Sequence, residues 1–127
     1  TPKPSSAASD VYKRQVLERV RVELEGRLAH TFIRLADFEN TGAVPTDTED
    51  LVNLCLTIKG TDAAFILVEQ TPEVYKVSFR SRGTLDCSEL AREFGGGGHK
   101  AAAGAGIEGP FQECQSSLLD AMIAKLQ

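Results

Sequence analysis

The chain has 127 residues, of which 42% are hydrophobic and 25% charged, as expected for one ordinary globular domain with a buried core. Its net charge of -4 argues against a protein that coats DNA. It contains no apolar run of membrane-spanning length and no signal-peptide centre, so we expect a cytoplasmic protein with no membrane partner.

The first fifteen residues differ in character from the rest. They read TPKPSSAASDVYKRQ, are rich in Pro, Ser and Ala, and have no apolar period. This composition predicts a disordered tail, and the string SSAASDVYKRQ also looks like a translated adapter sequence. We therefore expect the folded domain to occupy residues 16–127.

The first half of that domain predicts helices alternating with strands. A short helix is expected over residues 16–24 and a strand over residues 28–35. A capping box at residues 46–49 then opens a helix with one apolar face. The apolar run 63–69 and the alternating run 74–81 are separated by a turn that contains Pro72, so they predict a hairpin.

The second half continues the pattern. Asp86 and Glu89 form another capping box, and the helix they open ends at Gly95. A strand is expected over residues 101–107, and Gly109 and Pro110 begin a long final helix. Together the elements predict a single α/β domain with a mixed central sheet flanked by helices.

A run of four glycines, Gly95 to Gly98, precedes His99 and Lys100. Glycine loses much backbone freedom on folding, so four in a row indicate a close backbone approach. Successive unhindered N–H groups can surround phosphate oxygens, and the His99 imidazole could donate to the same phosphate. A flexible linker is the alternative interpretation of the run.

Basic residues gather just before this loop. Lys76 and Arg80 share the polar face of the second hairpin strand with Ser78, and Arg82 follows that strand. Residues 76–100 hold five basic and three acidic side chains, although the whole chain is acidic. Such a local patch suits an anionic ligand of limited size. An ordinary solvated sheet face explains the same alternation.

The other polar residues give no catalytic set. His30 reads as a structural side chain, and the only other histidine is His99. Cys55, Cys87 and Cys114 each fall on the apolar face of a predicted helix, which predicts buried free thiols. We find no nucleophile set and no paired histidines, and expect no metal or cofactor bound by this chain.

Three segments resemble one known family. The segment FGGGGHKAAAGA (94–105) is similar to the Gly-Gly-Gly-His signature of the DHH-associated domain, the C-terminal domain of DHH-type phosphoesterases. DTEDLVN (47–53) resembles the D-x-E-G-L-V-N stretch of that domain, and VSFRSRG (77–83) resembles its V-S-x-R-S strand. The likeness covers roughly residues 17–127 and is strongest to the oligoribonuclease and phosphoadenosine-phosphate phosphatase branch.

The resemblance implies a division of labour. An N-terminal DHH domain, absent from this sequence, would hold two manganese ions, and this domain would bind short RNA or a nucleotide. Carried onto this chain, the phosphate would be held by Gly96, Gly97, Gly98 and His99, with Arg80 beside them. Asn53 would lie near the domain interface, and the full-length protein could be a homodimer. Ala101 stands where relatives often have Asn, which implies one polar contact fewer.

Other functions remain open at this point. A related phosphoesterase could act on cyclic dinucleotides or be a RecJ-like exonuclease. A stand-alone RNA-binding module, like the similar domain at the end of alanyl-tRNA synthetase, is a second alternative. A structural domain with a vestigial loop is the third.

Overall fold

The computed structural model describes residues 13–37, 48–83 and 85–127. These residues form a mixed six-stranded sheet in the order β1-β2-β3-β4-β6-β5. β2 and β3 are parallel, and every other neighbouring pair is antiparallel. The predicted α/β domain with a mixed sheet is confirmed. The capping box predicted at residues 46–49 lies outside the residues whose side chains are described.

The strands are β1 (Arg21–Glu23), β2 (Leu28–Ile33), β3 (Ala63–Thr71), β4 (Val74–Ser81), β5 (Gly97–Gly98) and β6 (Ala102–Glu108). Residues 13–18 are helical (α1), and residues 35–37 form a helical turn (α2). The later helices are α3 (Thr48–Leu56), α4 (Cys87–Glu93) and α5 (Phe111–Leu126). The hairpin and the last two helices therefore lie where the sequence predicts them.

The side-chain alternation of the strands divides the core between the two faces of the sheet. One face carries Phe65, Tyr75 and Phe79, which are buried together with the apolar sides of α4 and α5. The opposite face carries Ala29, Ala64 and Ile66 among the residues buried together with α1 and α3. Because a strand points successive side chains to opposite faces, each layer is read directly from the register.

Two of the predicted elements are wrong in detail. The helix expected over residues 16–24 ends at residue 18, and Arg21–Glu23 instead forms the edge strand β1. A turn with left-handed backbone at Leu24 (φ 52°) and Glu25 (φ 58°) folds β1 back onto β2. The second error lies in the glycine run, where Gly97 and Gly98 pair with β6 as a two-residue strand.

Side chains fix the ends of the helices. The Thr31 hydroxyl of β2 donates to the Val16 carbonyl of α1 over 2.7 Å. Asp86 caps α4 by accepting from the amides of Ser88 and Glu89, as the sequence predicts. The Glu89 carboxylate lies 3.6 Å from Lys125 of α5. These contacts hold α1 against β2 and α4 against α5.

Candidate anion-binding face

Half of one sheet face is left open. α3 packs over β2 and β3 and reaches the neighbouring side of β4, whereas the rest of the same face, across β4 and β6, forms a depression of about 260 Å³. Its lining residues are Lys76, Ser78, Arg80, Ala102, Ala103 and Gly104. We call this surface the open face. It carries two of the basic residues that the sequence singles out.

The strand register arranges the open face in rows. Arg80 pairs with Ala102 across β4 and β6. Ala102 in turn exchanges backbone hydrogen bonds with His99 across the turn that follows β5. Directly paired residues project to the same side, so Arg80, Ala102 and His99 form one row across β4, β6 and the residue that follows β5. Strand spacing places the Cα atoms of Arg80 and His99 about 10 Å apart.

A second row runs parallel to the first. Ser78 pairs with Gly104, and Gly104 pairs with Gly97. Lys76 pairs with Gly106 in the next row. The open face therefore has cations at two places along β4 and almost no side-chain bulk along β6. A flat or extended anionic ligand could lie against it.

Arg80 is held in place by the edge of α3. Its Nε donates to Oδ1 of Asn53 over 3.1 Å, and its Nη1 donates to the Phe79 carbonyl over 2.9 Å. A guanidinium has five N–H donors, so others stay available for a ligand. Within the described residues neither Arg80 nor Lys76 forms an ion pair with a carboxylate. Two cations without an acidic partner among the described residues favour an electropositive face.

Arg82 lies apart from the open face. Its Nη2 donates to the carbonyl of Leu56 at the end of α3, and its amide donates to the Asp62 carbonyl. A cationic side chain on the last carbonyls of a helix stabilises the helix end. The structure thus brings Lys76, Arg80 and Asn53 to the open face, with His99 in the row of Arg80. Arg82 instead binds the end of α3.

Three backbone amides of the glycine loop are not free for a ligand. The amides of Gly95, Gly96 and His99 donate to the carbonyls of Arg92, Ala91 and Ala102. The glycines serve close packing against β6 instead. A Cβ on Gly96 would lie 2.1 Å from the Gly104 carbonyl oxygen, and one on Gly98 (φ 149°) would lie 2.5 Å from Cα of Ala103. Whether these glycines contact a ligand stays a prediction.

The imidazole of His99 is exposed, and its backbone is fixed by the two hydrogen bonds to Ala102. Ala101, in the same turn, accepts from the Ser81 amide over 3.0 Å, which ties the turn to the end of β4. The position of the His99 side chain is therefore set by strand pairing, with its ring free to meet a ligand.

Ser78 was not among the predicted site residues. It lines the depression between Lys76 and Arg80 and is only 7% exposed. The signal for it was available, since the alternation of β4 already puts Ser78 on the same face as the two cations. A serine on the polar face of a strand does not by itself indicate a binding site, because it carries no charge.

The remaining reactive side chains belong to the core. The three cysteines are buried and free, as predicted, and burial raises the pKa of Cys55 and of Cys87 to about 11. His30 is buried, stacks on Phe65 with ring centroids 5.1 Å apart, and lies 3.2 Å from Glu23. Within residues 13–37, 48–83 and 85–127, no three His, Cys, Asp or Glu side chains cluster as a metal site would require.

No helix in the described part of the chain is long and apolar enough to cross a membrane. What these residues form is an α/β module with an electropositive, glycine-floored sheet face, the kind of surface suited to an anionic ligand. A family model matches most of this module. Residues 26–127 match the model of the DHHA1 domain, and the chain belongs to this family.

Two curated relatives carry the same printed name, bifunctional oligoribonuclease and PAP phosphatase NrnA. The protein from Thermus thermophilus is 35% identical over 95 residues, which are 75% of this chain and 28% of that protein. The protein from Bacillus subtilis is 35% identical over 83 residues, covering 65% of this chain and 26% of that protein. The chain thus spans about a quarter of the length of each.

A solved structure shows the same fold. An exopolyphosphatase-related protein from Bacteroides fragilis superposes with a TM-score of 0.79 at 27% sequence identity. The match covers 94% of this chain and 34% of that one. In the relatives this domain is therefore one part of a longer protein.

Proposed function

We propose that this domain binds the phosphate of a nucleotide, or of the end of a short RNA, on the open face of its sheet. The observation that carries the proposal is the Arg80 guanidinium, oriented by Asn53 and facing a depression without an acidic partner in the described residues. Lys76 adds a second cation on the same strand, and His99 lies in the row of Arg80. A guanidinium matches phosphate oxygens in geometry and charge.

In a complete DHH-type phosphoesterase this domain would position the substrate for a metal-binding DHH domain. The names of the two curated relatives support an oligonucleotide or an adenine nucleotide as the substrate. Manganese held by the DHH domain would supply an activated water and stabilise the developing charge. Arg80, Lys76 and His99 would hold the phosphate, and orientation alone accounts for a large part of catalysis. We place this reaction in the cytoplasm.

Nuclear magnetic resonance titration of the chain with 5′-phosphorylated diadenosine tests the binding step. We expect shifts confined to β4, β6 and the turn around His99. Arg80→Ala should weaken binding by about 10- to 150-fold, because one charge-assisted hydrogen bond contributes about 1.5–3 kcal/mol. Arg92→Ala is the matched control, since Arg92 is exposed on α4, which packs on the opposite face.

Equal weakening by the Arg80 and Arg92 substitutions would reduce the effect to overall charge and contradict the proposal. Shifts located away from the open face would contradict it as well. Incubation of the chain with manganese and the dinucleotide should give no turnover, because the described residues hold no metal cluster. Turnover would show that this chain carries a catalytic centre of its own.

A further inference from the structure

Ser78 differs from the other buried serines of the described residues. Ser81 accepts hydrogen bonds from the amides of Gly83 and Leu85, and Ser88 donates to Asp86 over 2.6 Å. Ser78 is 7% exposed, yet within the described part of the chain its hydroxyl has no hydrogen-bond partner. Buried polar groups are nearly always paired, with protein or with water. Its hydroxyl lines the depression, where a ligand could pair it.

The surroundings of Ser78 limit what that ligand group can be. Along β4 it lies midway between Lys76 and Arg80, and same-face neighbours on a strand are about 7 Å apart. Its cross-strand partner is Gly104, which has no side chain to keep a ligand away from the sheet. The centre of the depression is therefore neutral and flat, whereas both ends are cationic.

A nucleotide chain has a matching order of groups. Each sugar lies between two phosphates, and the flexible Lys76 stem can lean along β4 towards Arg80. Successive phosphates held by the charged ends of Lys76 and Arg80 would leave a sugar over Ser78. A serine hydroxyl can both donate and accept, and so can the 2′-hydroxyl of ribose. A 2′-deoxy sugar offers no such partner and would leave the Ser78 hydroxyl unpaired.

We propose that Ser78 reads the 2′-hydroxyl of the ribose and makes the open face selective for RNA over DNA. This inference rests on the proposed function, because it takes the bound ligand to be a nucleotide. It adds a specificity residue and the basis of discrimination. The small residues Ala102 and Gly104 permit the close approach that a hydrogen bond to Ser78 needs.

The test compares two ligands on one protein. Dissociation constants are measured by titration for 5′-phosphorylated diadenosine and for its fully 2′-deoxy counterpart. The unmodified chain should prefer the ribose form by about 3- to 10-fold, the range expected for one neutral hydrogen bond. Ser78→Ala should lose this preference by weakening the ribose ligand while leaving the deoxy ligand unchanged.

Two further variants make the result specific. Ser78→Cys keeps the size of the side chain but donates weakly, so it should lose the preference in the same way. Ser88→Ala removes a buried hydroxyl on α4, across the sheet from the open face, and should retain it. Thermal unfolding should show Ser78→Ala to be about as stable as the parent, because the substitution breaks no hydrogen bond within the described residues.

The outcomes separate the inference from the proposed function. Binding with no sugar preference, or a preference that survives in Ser78→Ala, would overturn the role of Ser78 alone. So would equal weakening of both ligands. If the unmodified chain bound neither dinucleotide, the proposed function itself would fall, and the sugar-reading role with it.

Discussion

Asn53 on α3 accepts a hydrogen bond from Arg80 on β4, with 3.1 Å between Oδ1 and Nε. The bond crosses the border between the half of the sheet face that α3 covers and the half that is open. An exposed arginine ordinarily samples many rotamers, and fixing one costs entropy on binding. Asn53 therefore lowers the cost of presenting the guanidinium to a ligand.

Asn53→Ala should weaken dinucleotide binding by about 2- to 10-fold, the effect of one neutral hydrogen bond, and leave the fold unchanged. Because Asn53 is exposed, little stability should be lost. Arg80→Ala and the double variant complete a double-mutant cycle, in which the dissociation constant of each variant is measured by titration. An Asn53→Ala effect that persisted in the Arg80→Ala background would show that Asn53 acts on the ligand directly.

The close packing of the glycine run against β6 can be tested by measuring stability. Gly96→Ala and Gly98→Ala should each lower the free energy of unfolding by about 1–3 kcal/mol, because the new Cβ meets the backbone of β6. Gly97→Ala is the matched control, since no atom lies within 4 Å of a Cβ built there. Urea unfolding measures all three. Equal losses at the three positions would contradict the packing role.

Side-chain patterns made much of this fold predictable. The alternation of β4 and the helical period of α5 each report burial directly, and both elements lie where they were expected. β1 was not predictable, because a three-residue strand has too little pattern and depends on pairing with β2. The Gly97–Gly98 strand was hidden because glycine has no side chain to alternate.

The candidate site was likewise predictable from the sequence only in part. Alternation placed Lys76 and Arg80 on one face, because that property is local. The bond from Arg80 to Asn53 joins residues 27 apart in the sequence, so it depends on how α3 crosses the sheet. Arg82 shows the same limit, since only the tertiary structure brings it to the end of α3.

His30 should make stability depend on pH. Burial lowers its pKa below the usual 6.5, although the hydrogen bond with Glu23 acts the other way. As pH falls through about 6.5, His30 becomes protonated in the unfolded chain but not yet in the folded chain. The free energy of unfolding should therefore decrease. The decrease should stop once pH is below the folded pKa. Urea unfolding between pH 8 and 5 measures it.

His30→Gln removes the titrating group and should flatten that pH dependence, whatever its effect on stability at pH 8. His99→Gln is the control, because that ring is exposed. A pH dependence that survived in His30→Gln and vanished in His99→Gln would refute the assignment. The carboxyls of Asp37 and Glu69 also have lowered pKa values, but they titrate below 4.5 and do not disturb this window.

Glu69, near the end of β3, is a buried carboxylate that accepts hydrogen bonds from two different segments of the chain. Its Oε1 accepts from Arg34 and from the Leu35 amide, at 3.1 and 3.0 Å, and its Oε2 accepts from the Glu73 amide at 3.3 Å. Burial alone would raise the pKa of Glu69, but these donors hold it below its usual value. The side chain thus ties the segment after β2 to the β3–β4 turn.

Glu69→Gln should lower the free energy of unfolding by about 1.5–3 kcal/mol, because an amide nitrogen replaces one acceptor while the donors on both sides remain. Glu113→Gln, an exposed charge neutralisation on α5, should change it by less than about 0.5 kcal/mol. Since folded Glu69 has a lowered pKa, its contribution is present above about pH 4.5 and is lost as pH falls through the folded value. The gap between parent and Glu69→Gln should therefore narrow in acid, and a gap that is constant down to pH 3 would show that the charge is not what holds the turn.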